Sequence, residues 1–200
     1  MVKMKGWQKA LVALVLGGLS SFGVSHAQNV TTEVLENSQD YSDRWVQYGR
    51  NYGAWRYMPD DQINRDSVKD LRPVWIKPTG VTGGAFEVTA LVNDGRMYLT
   101  TANSHLIVVD PLTGAELWRY DHEFENVDLC CGPHNRGVAL YEDMVYYGTL
   151  DAHLMAFDAA TGTQLWDVEV GDHRDSISIT GAPLILKDMG LIGVGGGEFG

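Results

Sequence analysis

The chain has 200 residues, 44% of them hydrophobic and 20% charged, with a formal net charge of −11. This acidic balance argues against nucleic-acid binding and favours a basic protein as partner. Twenty-three glycines against six prolines, with apolar residues alternating over short runs between turn residues, predict an all-β fold with little helix. The one helix-like stretch is 30–42.

The first 27 residues have the organisation of a secretory signal peptide. Positions 1–9 carry three lysines and no acid, an apolar run follows from Ala10 to Val24, and Ser25-His26-Ala27 offers small residues to a signal peptidase. The apolar run is too short to remain as a membrane span. We therefore expect export to the periplasm and a mature chain from about Gln28, with net charge −14 once the three lysines are removed from the total of −11.

A nine-residue motif occurs twice, 48 residues apart. Asp110-Pro-Leu-Thr-Gly-Ala-Glu-Leu-Trp118 recurs as Asp158-Ala-Ala-Thr-Gly-Thr-Gln-Leu-Trp166, and the flanking segments keep the same offset. Each unit predicts three short strands, which in the first copy are 96–101, 106–110 and 116–120. The aspartate and the Thr-Gly pair predict a tight turn. The tryptophan is large and flat enough to pack between neighbouring units.

A period in the forties with several short strands predicts the blades of a β-propeller. Asp175–Ile192 would begin a third blade, and Val74-Trp75-Ile76-Lys77 resembles the outer strand of a preceding one. A propeller needs at least four blades around its axis. We therefore expect the chain to be the N-terminal part of a longer protein, with 28–200 forming an incomplete propeller domain.

The two cysteines of the chain, Cys130 and Cys131, are adjacent. A disulfide between neighbours would close a small ring that constrains no long loop, so it would add little stability and would indicate a functional site. Two buried thiols adjacent by chance are the alternative. The glycine-rich run from Gly193 to Gly200 indicates either a close approach of the backbone to another group or a flexible linker. The six histidines are scattered and predict no metal site. His134, near the cysteines, is the one histidine that we keep as a candidate.

Six segments together resemble a known family, the pyrroloquinoline quinone (PQQ)-dependent alcohol dehydrogenases of the methanol and ethanol group. The resemblance runs from about Trp45 to the last residue. The segments are Trp45-x-x-Tyr48-Gly49-Arg50, Gln62-Ile63-Asn64, Glu87-Val-Thr-Ala-Leu-Val-Asn-Asp-Gly95, Cys130-Cys131 with Asn135-Arg136-Gly137-Val138-Ala139, Ile179-Thr180-Gly181-Ala182-Pro183 and Gly195-Gly-Gly-Glu198-Phe-Gly200.

The resemblance implies an eight-bladed propeller, of which this chain holds the first two to three blades, with PQQ bound on the axis. It implies a disulfide between the adjacent cysteines that stacks on the quinone. A guanidinium suits the three carboxylates and the carbonyl oxygens of PQQ. The cofactor-binding positions that it implies are Glu87, Cys130, Cys131, Arg136, Thr180, Gly195, Gly196 and Gly197, and the metal ligand is Glu198.

Two features qualify these implied contacts. Relatives often carry serine or alanine at some of the three glycine positions, so a hydroxyl contact at Gly195 is not expected here. A carboxylate together with quinone oxygens suits a hard cation, so Glu198 is expected to bind calcium, or a lanthanide as in some relatives.

The implied activity is the oxidation of a primary alcohol to an aldehyde. Hydride passes to PQQ with the metal acting as Lewis acid, and electrons then pass to a c-type cytochrome. The catalytic base and the other metal ligands are expected beyond Gly200, so the fragment alone should be inactive. A homodimer or a small-subunit partner remains open.

Two other functions are open on the sequence. A non-catalytic periplasmic propeller that scaffolds outer-membrane assembly would share the blade motif and the leader. Such proteins are usually lipid-anchored, and they have no use for adjacent cysteines or a Gly-Gly-Gly-Glu run. A membrane-bound quinoprotein sugar dehydrogenase would call for several membrane-spanning helices ahead of the propeller.

Overall fold

The computed structural model describes residues 29–123, 129 and 132–196, and arranges their strands as three antiparallel sheets that follow one another along the chain. The predicted signal peptide lies outside the described residues, as do Cys130, Cys131, Gly197 and Glu198. Within the described ranges no helix is both long and apolar enough to cross a membrane.

The first two sheets have the same four-stranded design, in which each strand pairs with its neighbours in chain order. The first contains β1 (Leu91–Asn93), β2 (Arg96–Thr100), β3 (Leu106–Val109) and β4 (Glu116–Tyr120). The second contains β5 (Ala139–Tyr141), β6 (Met144–Gly148), β7 (His153–Asp158) and β8 (Gln164–Glu169). In the third, β9 (Leu184–Leu186) pairs with β10 (Met189–Leu191).

The repeat predicted from the sequence is confirmed. The three strands expected in the first unit are present within one residue of their predicted ends, and a further strand, β1, precedes them. Both sheets also carry a register shift at the same place in the repeat, after Val108 in one and after Ala156 in the other. Two strands of the expected third unit are present as β9 and β10.

The helix expected over 30–42 is shorter than predicted. The helix α1 (Thr32–Glu36) begins after Thr31, whose hydroxyl accepts a hydrogen bond from the Val34 amide, and a 3₁₀ turn follows at Ser38–Asp40. Two further 3₁₀ turns lie at Val68–Asp70 and His173–Asp175.

The strand expected at 74–77 was wrong, although the tryptophan in it packs as a blade tryptophan should. The Trp75 indole N–H donates to the carbonyl of Pro111 at 3.0 Å, and a Cβ added at Gly114 would lie 2.7 Å from the Trp75 ring. The described residues provide no ladder partner for this segment, so side-chain contacts hold it in place instead, among them the ion pair of Lys77 with Glu116 at 2.9 Å.

The same kind of tryptophan contact joins the first sheet to the second. The Trp118 indole donates to the Ala159 carbonyl at 3.2 Å and stacks on Phe157 with the ring centroids 6.4 Å apart. A Cβ added at Gly162 would lie 2.6 Å from the Trp118 ring. The predicted role of the motif tryptophan between units is therefore confirmed.

The N-terminal segment packs along the edge of β1 and on the turn between β5 and β6. Val30 pairs with Glu142 in this turn, and Trp45 pairs with Val92 of β1. The fully buried Arg50 organises the segment by donating to the carbonyls of Tyr41 and Arg44. The three segments that precede β1, β5 and β9 lie at the other ends of these strands, and Arg56 of the N-terminal segment donates to Thr89 Oγ1 in the first of them at 3.3 Å.

Candidate cofactor site

Three segments, each preceding the first strand of one sheet, lie side by side. The first and second are linked by the hydrogen bond from the Ala85 amide to the Pro133 carbonyl at 3.2 Å and by that from Thr89 to the Arg136 carbonyl at 3.1 Å. The second and third are linked by the Arg136 amide, which donates to the Thr180 carbonyl at 3.0 Å. These hydrogen bonds bring together the side chains of one residue from each segment.

Arg136 stands between a carboxylate and a hydroxyl. Its Nη2 lies 3.1 Å from Glu87 Oε2, and its Nη1 donates to Thr180 Oγ1 at 3.0 Å. The side chains of Arg136 and Glu87 are 37% and 41% exposed, so the ion pair is open to a ligand. The structure thus brings together three of the residues that the family resemblance implied.

The backbone around Arg136 is packed closely, which limits where the guanidinium can go. The preceding Asn135 is buried, and its side-chain Nδ2 donates to the Gly148 carbonyl at 2.8 Å. The following Gly137 has φ +131°, and a Cβ added there would lie 3.2 Å from the Thr89 carbonyl oxygen. A side chain at position 137 would be strained and would push the two segments apart.

The predicted glycine positions are described in part. Gly195 pairs with Ser178, two residues before Thr180, through hydrogen bonds of 2.9 and 3.0 Å. Gly196 has φ +103°, and a Cβ there would lie 1.8 Å from the Ser176 carbonyl oxygen, so the position requires glycine. A Cβ at Gly195 would meet nothing within 4 Å.

Glu87 lies four residues before β1, not at the start of an inner strand as expected. The exposed carboxylate therefore sits on irregular backbone, and the hydrogen bond from Thr89 to Arg136 holds that backbone in place.

These residues fit PQQ in their chemistry. A planar, partly exposed cation matches the carboxylates and carbonyl oxygens of the cofactor, and the hydroxyl of Thr180 adds a neutral hydrogen-bonding group beside it. The described residues contain no group of three or more histidine, cysteine, aspartate or glutamate side chains that could hold a metal ion. The metal ligand Glu198 and the cysteine pair stay predictions.

Sequence reasoning missed a buried polar pair. His122 Nε2 lies 2.8 Å from Asp151 Oδ1, and both residues are less than 10% exposed. The repeat offset gave no signal for this pair, because the residues 48 positions away are Val170 and Asn103. Partial burial raises the pKa of Asp151, but hydrogen bonds from His122 and Thr149 outweigh this effect and hold the pKa below its ordinary value.

The family profile of the PQQ glucose/ethanol/alcohol dehydrogenase β-propeller domain matches residues 45–188. The chain belongs to this family. The match contains Glu87, Arg136 and Thr180, and it confirms the resemblance stated from the sequence motifs.

Individual relatives support the same assignment. The quinoprotein alcohol dehydrogenase PedH of Pseudomonas putida is 39% identical over 94% of this chain and 32% of its own length. The crystal structure of the quinohemoprotein alcohol dehydrogenase of Comamonas testosteroni matches with a TM-score of 0.79 and 36% identity, over 86% of this chain and 26% of that one. A europium-containing methanol dehydrogenase matches with a TM-score of 0.75 and 34% identity, over 83% and 30%.

The predicted all-β propeller fold is confirmed by these structures. The chain spans about a quarter to a third of the length of the relatives it matches. The alternative of a scaffold in outer-membrane assembly is not favoured, because the relatives at this level of identity are alcohol dehydrogenases.

Proposed function

We propose that this chain forms one wall of the PQQ site in a periplasmic quinoprotein that oxidises primary alcohols to aldehydes. The observation that carries the proposal is the contact between Glu87, Arg136 and Thr180, which come from the segments preceding three successive sheets and are partly exposed at Glu87 and Arg136. Membership of the PQQ propeller family supports it.

Each residue of this wall has a distinct task. Arg136 binds an anionic or carbonyl oxygen of the cofactor, and Glu87 and Thr180 hold the two ends of the guanidinium so that its plane is fixed before the ligand arrives. When bound, PQQ supplies the acceptor for the hydride of the alcohol. A site that needs no rearrangement loses less entropy on binding.

Further residues complete the proposed site. Cys130 and Cys131, as a disulfide, would cover one face of the cofactor without offering a free thiol to the quinone. Glu198 would contribute a carboxylate to calcium or a lanthanide, which are both hard cations. The solved europium-containing methanol dehydrogenase supports a lanthanide as one of the two options.

The direct test is reconstitution of the complete gene product. The apoprotein is mixed with PQQ and either calcium or lanthanum, and dye reduction is followed with a primary alcohol. We expect alcohol-dependent dye reduction that requires both PQQ and one of the metals. No reduction with either metal, in protein shown to be folded by circular dichroism, would reject the enzyme.

Export and electron acceptor belong to the same proposal. The leader at 1–27 should be cleaved, leaving a periplasmic protein that begins near Gln28, and a c-type cytochrome should accept electrons from the reduced enzyme. N-terminal sequencing of the periplasmic fraction tests the first point. Intact leader on cytoplasmic protein would contradict it.

A further inference from the structure

The segment between β4 and β5 carries Arg136, and its two described ends are fastened to the same turn of the second sheet. This turn, Gly148–Asp151, joins β6 to β7. At one end of the segment, 121–123 leaves β4. At the other, 132–138 leads into β5.

The contact at the first end of the segment is made by the buried His122. His122 is 7% exposed, its Nε2 lies 2.8 Å from Asp151 Oδ1, and its backbone amide donates to His105 Nδ1 at 3.1 Å. The Tyr120 ring lies against the imidazole with centroids 5.9 Å apart, and its hydroxyl is 3.4 Å from Nδ1. These contacts hold the His122 imidazole in one orientation.

Asp151 is itself fixed on its side of this contact. Its carboxylate accepts from the Thr149 hydroxyl as well as facing His122, and it is 8% exposed. A buried carboxylate that lost the histidine would keep only part of its hydrogen bonding, which is costly in a site shielded from water.

The contact at the second end of the segment is made by Asn135, the residue next to Arg136. Asn135 is 1% exposed; its side-chain Nδ2 donates to the Gly148 carbonyl at 2.8 Å, and its Oδ1 accepts from the Gly137 backbone amide at 3.0 Å. Because Asn135 and Arg136 are neighbours, this contact sets the register in which the Arg136 amide reaches the Thr180 carbonyl.

We propose that the turn Gly148–Asp151 is a two-point clamp, and that His122 and Asn135 are positioning residues that hold the cofactor-contacting segment through it. This inference rests on the proposed function, because the residue that the clamp orients is Arg136, the proposed cofactor contact. Buried polar networks that are fully satisfied specify one arrangement of the chain, which is what a preorganised site needs.

The test replaces His122 in the complete gene product and follows the segment without cofactor. In His122→Phe, which keeps a planar ring and removes the donor, we expect hydrogen exchange of the amides of Arg136 and Gly137 to accelerate by about tenfold or more. The PQQ dissociation constant, measured by fluorescence titration, should rise by about tenfold. His153→Phe is the matched control, because it removes a histidine–aspartate pair of similar length, 2.7 Å to Asp167, while the contacts of residue 153 with Thr149 of the clamp use its backbone and are kept.

A second pair of variants separates the hydrogen bond from packing. His122→Gln and His122→Met have similar side-chain volumes, but only glutamine can donate to Asp151. Exchange at Arg136 and Gly137 should be slower in the glutamine variant, and this comparison decides the matter if phenylalanine is not accommodated.

The outcomes are separable from the fate of the proposed function. Unchanged exchange in His122→Phe, or equal exchange in the Gln and Met variants, would overturn the clamp. If the wild-type protein does not bind PQQ, the proposed function fails while the exchange data still decide whether the clamp exists.

Discussion

Arg136 is the one described cation that links all three segments of the candidate site. It is planar, permanently charged and bonded at two of its nitrogens to groups from the segments that precede two different sheets. A lysine ammonium keeps the charge but cannot span Glu87 and Thr180 in this way. The site therefore requires the shape of the guanidinium as well as its charge.

Arg136→Lys should weaken PQQ binding substantially. Loss of a charge-assisted hydrogen bond costs about 1.5–3 kcal/mol, which corresponds to roughly a 10- to 150-fold rise in the dissociation constant. Arg174→Lys is the control, because that guanidinium is 78% exposed and pairs with the neighbouring Asp172. Equal PQQ affinities for Arg136→Lys and the wild type would show that Arg136 does not contact the cofactor.

The adjacent cysteines make a prediction that needs no cofactor. Protein taken from the periplasm without reduction should resist alkylation at Cys130 and Cys131, and the peptide should be two hydrogens lighter than the dithiol form. Mass spectrometry of the unreduced peptide measures both. Alkylation of both thiols would exclude the disulfide.

At the scale of elements, the turn of each motif accommodates the tryptophan of the preceding unit. Gly114 and Gly162 both have positive φ, and both lie against an indole ring, that of Trp75 or Trp118. These glycines are therefore required twice, once for the backbone conformation and once for the space.

The two requirements can be separated with alanine. Gly95→Ala changes a glycine of φ +67° with no atom near the added Cβ, so it should cost about 1 kcal/mol from backbone strain alone. Gly162→Ala, at φ +73°, adds a contact of 2.6 Å with Trp118 and should cost about 1–3 kcal/mol more. Urea unfolding of the two variants measures the difference. Equal losses would mean that the indole moves aside without cost.

The repeat explains which parts of the site could be predicted. Glu87, Arg136 and Thr180 are 49 and 44 residues apart, close to one repeat, so successive sheets bring them to the same place. Their chemistry was identified through the family motifs, because an isolated glutamate or threonine before a strand carries no signal of its own.

Other parts of the fold and of the site could not be predicted, because they depend on contacts that the spacing of residues in the sequence does not reveal. Val74–Lys77 has strand-like composition, yet no ladder forms in the described residues, and side chains hold the segment through the Trp75 indole and the ion pair of Lys77 with Glu116. His122 and Asp151 are 29 residues apart, which matches neither a repeat nor a turn. Pairs of this kind become visible only when the sheets are placed side by side.

At the scale of the whole molecule, several carboxylates stabilise the fold in their charged form. Besides Asp151, hydrogen bonds from Thr113 lower the pKa of Asp110, and hydrogen bonds from Thr161 lower that of Asp158. The Arg174 side chain and amide lower the pKa of Asp172 to about 2.

Acid should therefore destabilise the protein in a defined direction. Because these folded-state pKa values lie below the unfolded value of about 3.9, the stabilisation is complete above that pH and is lost as the pH falls through the folded-state values. Asp151→Asn should lose less thermal stability between pH 7 and acid than the wild type does. Thermal midpoints across this range measure it, with Asp66→Asn, at an exposed carboxyl, as control. An Asp151→Asn variant as acid-sensitive as the wild type would contradict the assignment.

The arrangement of the sheets brings Glu87, Arg136 and Thr180 together as one wall of the proposed site. β1, β5 and β9 begin at the same end of their sheets, and the segments before them converge there. The N-terminal segment pairs with β1 at Val92, and its Arg56 donates to Thr89 Oγ1 at 3.3 Å. At the converging segments the ion pair of Arg136 and Glu87 is partly exposed and therefore accessible to a ligand.

The most direct measurement is a crystal structure of the complete gene product with PQQ bound. The account predicts a cofactor oxygen within about 3.5 Å of the Arg136 guanidinium, with Glu87 and Thr180 beside it and the paired sulfurs over the ring. A cofactor bound elsewhere, with Arg136 still paired only to Glu87 and Thr180, would contradict it.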